Sequence, residues 1–213
     1  MRKTLLSSLL LAASTLSGAA IVSPVSGVIN SNGPGFGSLA DTWNQNGLLT
    51  GFVSGVTDFD TYLATNPLHS PVFNGNEWFA TQNTTTAVVT YDLGATLLID
   101  RLALWNEESS GIGLLNLSYS TDNITFMSLV GNIIPTDRAG VNYPADVISF
   151  GGAVDARYVR FDMSNCPQPN GGSFAACAIG EVAFSVNSIP EPSSMVMLGL
   201  GLAALVGARF RRS

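Results

Sequence analysis

The sequence offers few residues that could carry out catalysis. His69 is the only histidine, which excludes metal clusters built on several histidines and leaves any Ser-His-Asp triad dependent on a residue in a turn before Pro71. Neither Gly-x-Ser-x-Gly nor His-Glu-x-x-His occurs. Glu107 and Glu108 are adjacent, so they point apart if extended, whereas glycoside hydrolysis needs two acids facing each other across about 5 to 9.5 Å. The residue inventory therefore predicts a protein that is not an enzyme.

Two cysteines, Cys166 and Cys177, enclose an irregular segment rich in proline, glycine and asparagine. Redox sites are more typically Cys-x-x-Cys, and two distant thiols without an adjacent histidine are a poor metal site. In an oxidising compartment we expect the pair to form a disulfide that stabilises this loop by about 2 to 3 kcal/mol.

The charge balance argues against a nucleic-acid partner. The whole chain carries a net charge of −6. Between residues 20 and 187, however, four arginines and no lysine stand against fourteen acidic residues. A phosphate backbone would repel such a surface. Acidity of this kind suits solubility outside a cell, neutral or cationic partners, or bound calcium.

Alternating apolar and polar residues from Thr86 onward predict β-strands separated by turns. The predicted strands cover residues 86–93, 99–105, 115–119, 124–130, 159–163 and 182–186, with turns at Gly94 and at 120–123. Strands spaced in this way, without helical stretches between them, indicate an all-β protein built as an antiparallel β-sandwich. A short helical or turn segment is expected within 57–65. Residues 33–37 are interpreted as a loop, because Ser38 stands where a phosphate-binding fingerprint requires glycine.

The N-terminus has the features of a secretory signal peptide. Two basic residues precede an apolar run from Leu5 to Leu16 and a group of small residues. Signal peptidase is therefore expected to cleave after Ala19 or Ala20 and to remove residues 1–19. A permanent membrane helix is the alternative, but the run is short for one. About 168 residues, 20–187, would remain as one domain with a real core.

At the other end an uncharged apolar run, residues 193–208, is followed by Arg209, Arg211 and Arg212. As a helix this run would be about 24 Å long, slightly short of a bilayer core of about 30 Å. Arginines at its end place the C-terminus in the cytoplasm and everything before Pro190 outside. The alternatives are a plain C-terminal anchor or a buried core helix, and the latter leaves the arginines unexplained.

Pro190-Glu191-Pro192, the apolar helix and the arginine-rich end together closely resemble the PEP-CTERM sorting signal of Gram-negative bacteria that make exopolysaccharide. The resemblance assigns residues 189–213 to this signal. It implies export, a transient inner-membrane anchor through one transmembrane helix, and cleavage near the Pro-Glu-Pro triplet by the membrane enzyme exosortase. The final location would be the cell surface or the extracellular matrix.

The order of the predicted strands resembles the discoidin, or coagulation-factor type C, domain. Short matching segments follow one another in the family's order over about 105 residues: Glu77-Trp78, Tyr91-Asp92-Leu93-Gly94, Ile99 to Leu104, Tyr119 to Asn123 with Phe126, Ala156 to Phe161, and Ile179 to Val182. The resemblance implies a galactose-binding-like jelly roll. The N-terminal part departs from the family, because its Asp-Gly-x-x-x-x-Trp lead-in is blurred here, which puts the family's calcium site in doubt.

Domains of this kind bind ligands in loops at one end of the sandwich, commonly with an aromatic side chain lying flat on a sugar ring. Trp105 followed by Asn106, Glu107 and Glu108 supplies an aromatic, an amide and two carboxylates in one loop, and Trp78 could join it. These five residues are the expected ligand-binding site. The alternative is that both tryptophans are core residues, as is usual in sandwiches.

The same resemblance implies one structural Ca²⁺, held by loop carbonyls, an early carboxylate and an acid that opens the last strand. Asp58 or Asp60 together with Glu181 are the candidate ligands, since calcium prefers such oxygen donors. The alternative is that Glu181 merely caps a solvent-facing strand edge.

Together these features predict an exported, non-catalytic surface or matrix protein that binds glycan, with the cell's own exopolysaccharide as the first candidate. A structural matrix component without a specific ligand is the rival, and a glycan-active enzyme is the third alternative. Fold resemblance alone does not decide between them.

Overall fold

The computed structural model describes residues 18–72, 75–170 and 174–187. Within these ranges, a 3₁₀ turn, Leu39–Thr42, and one short helix, α1 (Phe59–Ala64), accompany ten strands. The strands are β1 (Ala20–Val22), β2 (Ser26–Ser31), β3 (Leu68–His69), β4 (Trp78–Phe79), β5 (Ala87–Asn106), β6 (Leu114–Ser120), β7 (Met127–Ile133), β8 (Tyr143–Pro144), β9 (Asp146–Ser164) and β10 (Ala178–Val186).

Two long strands, β5 and β9, run through both layers of the sandwich. In one layer β2 pairs with the first half of β5, followed by the second half of β9, β6 and β7. In the other layer β1 and β4 lie on one side of β10, and the second half of β5 and the first half of β9 lie on the other. All of these pairings are antiparallel, which confirms the predicted β-sandwich.

The sequence predicted two strands with a turn at Gly94, and this prediction was wrong in detail, because β5 is continuous. Gly94 has φ +84°, and the pairing between β5 and β9 jumps from Asp92 opposite Tyr158 to Leu97 opposite Ala156. The glycine therefore bends the strand from one layer into the other instead of reversing it. Arg157 braces the bend, because its Nε and Nη2 donate to the two oxygens of Asp92 at 3.0 and 3.1 Å.

The core has two parts, one on each face of the second half of β5. Leu102 and Leu104 face the space between the layers and pack in the large central cluster. Ala103 and Trp105 point to the opposite face, where a smaller cluster is covered by Phe59 and other residues of the N-terminal segments. Both faces of this strand are buried, so its side chains are apolar at successive positions rather than alternating.

Two further sequence predictions agree with the described residues, whereas the strand predicted at 124–130 begins only at Met127. The helix expected within 57–65 is α1, and Asp58 caps it by accepting from the Thr61 N–H at 2.8 Å. Cys166 and Cys177 form the predicted disulfide. The predicted signal peptide, apart from Gly18 and Ala19, and the predicted sorting segment lie outside the described residues. Within the described ranges, no helix combines the length and the hydrophobicity needed to cross a membrane.

Candidate functional site

A glycine-rich loop presents one aromatic ring to solvent at the end of the sandwich where β4 begins. Gly35 and Gly37 have φ of +75° and +74°, and a Cβ at either position would collide with a carbonyl oxygen of the segment from Glu77 to Phe79. The loop can therefore lie directly on β4, where Phe36 and Phe79 exchange two backbone hydrogen bonds of 2.9 and 2.8 Å. The Phe36 side chain is left 65% exposed.

Phe36 forms one wall of an apolar groove of about 330 Å³, which we call the phenylalanine groove. Its other described lining residues are Val72, Phe79 and Phe174. The rings of Phe36 and Phe174 each pack edge-on against the Phe79 ring, at centroid distances of 6.3 and 5.4 Å. An open groove of this size lined by aromatic rings is typical of a small-molecule or carbohydrate site.

The disulfide positions the third ring. Phe174 lies in the segment that the bond between Cys166 and Cys177 closes, and its carbonyl accepts a hydrogen bond from the Ser110 hydroxyl. The Asn83 N–H donates to the neighbouring Ala175 carbonyl at 2.6 Å. The loop that carries Phe174 is thus fixed to two other loops at the same end of the sandwich.

A cluster of three glutamates lies behind the groove, and strand register explains why they meet. Trp78 of β4 and Asn106 of β5 pair with Ile179 of β10 from opposite sides. Glu77 directly precedes Trp78, and Glu107 directly follows Asn106. With Glu108 they form the glutamate cluster, in which one carboxylate oxygen of each residue lies within 4.8 Å of the others. All three residues are at most 3% exposed.

Each glutamate has some polar contacts, yet the cluster is incompletely satisfied. The Tyr143 hydroxyl donates to Glu77 Oε1 at 3.1 Å, and the Val72 N–H donates to Glu108 Oε1 at 2.9 Å. The Ser109 hydroxyl donates to Glu107 Oε1 at 2.7 Å. Glu77 Oε2 and Glu108 Oε2 are buried and have no hydrogen-bond partner in the described part of the chain.

Burial controls the electrostatics of the cluster. The pKa of Glu107 is raised to about 8, mainly by desolvation and also by the charges of Glu108 and Glu77, while the hydrogen bond from Ser109 lowers it. Desolvation also raises the pKa of Glu108, partly offset by the Val72 N–H. Burial, followed by the negative charges of the three glutamates, raises the pKa of Tyr143 well above its usual value. These shifts follow from removing charged oxygens from water.

The structure places the predicted ligand-binding residues inside the protein. Trp105 and Trp78 are both 0% exposed, and their indole N–H groups donate to the carbonyls of Pro67 and Pro34 at 3.0 and 2.8 Å. Neither can lie flat on a sugar ring, so their burial agrees with the core alternative. Asn106 is also buried, and it bonds Gln168 and Ile112 at 2.8 Å. Glu107 and Glu108 belong to the glutamate cluster.

The three predicted calcium ligands do not form one ligand set. Asp58 caps α1, and Asp60 pairs with Arg101. Glu181 is buried elsewhere, where Oε2 accepts from the Gln45 N–H at 3.0 Å and Oε1 has no partner among the described residues. Burial raises the pKa of Glu181 well above its usual value. The structural Ca²⁺ stays a prediction; of the three residues, Glu181 has a buried oxygen without a partner among the described residues.

The sequence predictions missed the phenylalanine groove. A signal was present, because an apolar Phe36 between two glycines, beside a proline, has no place in an alternating strand. Phe174 was likewise the one aromatic residue between the two cysteines. Neither signal shows that the two rings meet on Phe79, since that depends on contacts between distant segments.

The solved structures most similar in the comparison include carbohydrate-binding modules. The CBM32 of AlyQ, in complex with 4,5-unsaturated mannuronic acid, is 17% identical with a TM-score of 0.48, over 77% of this chain and 96% of that one. Chitosan-binding module 1 of a chitosanase/glucanase from Paenibacillus sp. IK-5 is 15% identical with a TM-score of 0.47, over 76% and 95%. CpGH89CBM32-5 from Clostridium perfringens, in complex with GalNAc-β-1,3-galactose, is 14% identical with a TM-score of 0.45, over 75% and 93%.

Comparison with curated proteins finds no match. Two family profiles match the chain. The PEP-CTERM protein-sorting motif covers residues 188–212, which confirms the sorting signal identified from Pro190-Glu191-Pro192 and the segment after it. The F5/8 type C domain covers residues 59–179, more than half of the 213 residues. The chain therefore belongs to the F5/8 type C, or discoidin-like, domain family and carries a C-terminal PEP-CTERM sorting motif.

Proposed function

We propose that the protein is an exported, non-catalytic glycan-binding module whose ligand lies in the phenylalanine groove. The observation that carries this proposal is the exposed Phe36 ring, held rigidly against β4 at the mouth of an aromatic groove. The apolar face of a sugar ring packs well on an aromatic ring, and burying that face removes apolar surface of both partners from water.

Polar groups for sugar hydroxyls are available beside the groove. The segment directly before Phe36 borders a second cleft of about 430 Å³, lined by Asn30, Ser31, Asn32 and neighbouring residues. The amides of this cleft are partly oriented by bonds to the strand below, since Asn30 Oδ1 accepts from the Thr90 hydroxyl at 2.7 Å. An aromatic wall next to orienting amides is the combination that a carbohydrate site needs.

A glycan-active enzyme is less well supported by the geometry. Two catalytic carboxylates would have to face each other across an open cleft. The three glutamates gathered at this end of the sandwich are buried, so they do not face an open cleft in which a sugar could lie between them. A structural matrix protein without a specific ligand remains the rival that binding measurements decide.

Replacing Phe36 by alanine is expected to weaken glycan binding at least ten-fold, a loss of about 1.4 kcal/mol or more. The full-length chain in mild detergent would be titrated by calorimetry with purified exopolysaccharide of the producing cell and with a panel of common oligosaccharides. Phe36→Tyr, which keeps the ring, should retain the affinity.

Ile124→Ala is the matched control, because Ile124 is 84% exposed and follows β6 at the end away from the groove. It removes similar apolar surface and should leave the affinity unchanged. If Phe36→Ala binds glycan with the same affinity as the wild-type chain, the ligand does not lie in the phenylalanine groove. No heat with any polymer or sugar would favour the structural matrix role.

We also propose that export uses signal peptidase at the N-terminus and exosortase at the C-terminus, with the inner membrane as a transient anchor and the cell surface or matrix as the destination. The sorting motif at 188–212 supports this route. Replacing Pro190, Glu191 and Pro192 by alanine should leave the protein in the inner membrane, measured by cell fractionation and surface labelling. Unchanged arrival of this variant at the surface would contradict the proposal.

A further inference from the structure

The glutamate cluster brings three carboxyl groups together where the described chain supplies no arginine or lysine. The four arginines of the mature domain are engaged elsewhere: Arg101 with Asp60 and Asp100, Arg138 with Asp146, Arg157 with Asp92, and Arg160 with Thr90 and the Phe126 ring. Among the described residues, the one basic side chain paired with the cluster is His69, whose Nδ1 lies 3.5 Å from Glu77 Oε1. That nitrogen is already bonded to the Ser70 carbonyl at 2.8 Å.

Buried carboxylates need hydrogen bonds or a counter-charge, since an unpaired buried charge is costly. Glu77 and Glu108 are 1% and 3% exposed, and each leaves one oxygen without a partner among the described residues. Two such oxygens in one cluster are a second feature, independent of the proximity of the acids, that indicates a missing positively charged partner.

The dimensions of the cluster fit a cation of the size of calcium. Ligand oxygens lie about 2.3 to 2.6 Å from Ca²⁺, so two ligands on opposite sides are separated by up to about 5 Å. One oxygen from each glutamate lies within 4.8 Å of the others, which is close to the separation that one such ion can span. The chemistry agrees, because carboxylates, with the Tyr143 hydroxyl next to them, are hard oxygen donors.

We propose that Glu77, Glu107 and Glu108 bind one divalent cation of the calcium class. This site is separate from any site at Glu181, because the Glu181 carboxylate does not belong to the cluster. The three glutamates also contact the loops that surround the groove. Glu108 accepts a hydrogen bond from the N–H of Val72, which lines the groove. The backbone of Glu77 packs against Gly37, beside Phe36. Glu107 accepts from Ser110, whose hydroxyl holds the loop of Phe174.

The test uses the full-length chain in mild detergent, freed of metal with chelator and titrated with CaCl₂ at constant ionic strength. Calorimetry gives the stoichiometry and affinity, and thermal unfolding gives a second readout. We expect saturable binding and a rise in Tm on adding Ca²⁺. Glu107→Gln and Glu77→Gln should each lower the affinity of this site at least ten-fold and remove the rise in Tm that it causes.

Glutamine keeps the shape of glutamate and removes a buried charge, so these variants should fold. Their folding is checked by circular dichroism in chelator. Glu181→Gln is the matched control, because it neutralises another buried glutamate outside the cluster, and it should retain the affinity of the cluster site. Calcium titrations that coincide for the wild-type chain and Glu107→Gln, or binding that only Glu181→Gln removes, would overturn the proposal. Neither outcome depends on whether a glycan binds the groove.

Discussion

Replacing Trp105 by alanine is expected to lower the free energy of unfolding by about 3 to 5 kcal/mol, the range typical of a deleted core aromatic. The indole is completely buried in the smaller core cluster, among Phe59, Tyr62 and Tyr143. Truncation leaves a cavity there and strips the Pro67 carbonyl of the indole N–H that it accepts at 3.0 Å. Urea unfolding followed by circular dichroism measures the loss.

Trp43→Ala is the control for this prediction, because Trp43 is only partly buried and packs edge-on against Tyr91. Trp43→Ala should lower the free energy of unfolding clearly less than Trp105→Ala does. Equal losses for the two variants would contradict the assignment of Trp105 to the core. Because Trp105→Ala destabilises the fold, weaker ligand binding by this variant would not locate the binding site. Phe36→Ala removes an exposed ring, so its effect on binding can be assigned to the groove.

The sandwich could be predicted from the sequence because its central strands show a local alternation of apolar and polar residues. Ala87, Val89 and Tyr91 alternate with more polar residues, and their buried and less buried positions follow that pattern closely. The continuity of β5 could not be read in the same way. Glycine is common in turns, and only the pairing with β9 and the ion pair between Asp92 and Arg157 show that the chain bends at Gly94 instead of reversing.

The ligand-binding residues were harder to predict because a side chain's direction depends on tertiary contacts. Trp105 ends a strand and precedes a polar loop, which suits both an exposed aromatic and a core residue. The structure shows the indole under the N-terminal segments, which have no periodic pattern in the sequence. Glu107 and Glu108 follow the same strand and were expected in a ligand-binding loop, but both are buried in the turn after β5.

The groove and the glutamate cluster share their supporting loops, so the sequence features at this end form one unit. Gly35 and Gly37 allow Phe36 to lie on β4, and the disulfide holds the segment of Phe174. Gly180 has a related role, because a Cβ there would collide with the Tyr143 hydroxyl that reaches Glu77. Small residues therefore stand where backbone and buried polar groups approach most closely.

In the metal-free protein the free energy of unfolding is expected to fall as the pH rises from about 5 to about 7.5. The pKa of Glu107 is about 8 in the folded protein, against 4.5 as its ordinary value. Between these values the unfolded chain has lost the proton that the folded protein retains, so raising the pH favours unfolding. Each pH unit lowers the free energy of unfolding by about 1.4 kcal/mol, so Glu107 alone lowers it by about 3 kcal/mol over this range. The raised pKa values of Glu108 and Glu181 act in the same direction.

Glu107→Gln should remove this contribution, so that in chelator the variant is more stable than the wild-type chain by about 4 kcal/mol near pH 7.5 and nearly equal to it near pH 4. Urea unfolding at a series of pH values measures both curves. Asp155→Asn, which removes one exposed carboxylate, controls for the change in net charge. A wild-type stability that stays level or rises from pH 5 to pH 7.5 in chelator would contradict the burial of an uncompensated Glu107. On the proposal above, the same carboxyl group that lowers the stability of the metal-free protein is a ligand of the cation. Glu107→Gln should therefore raise the free energy of unfolding in chelator and lower the affinity for calcium.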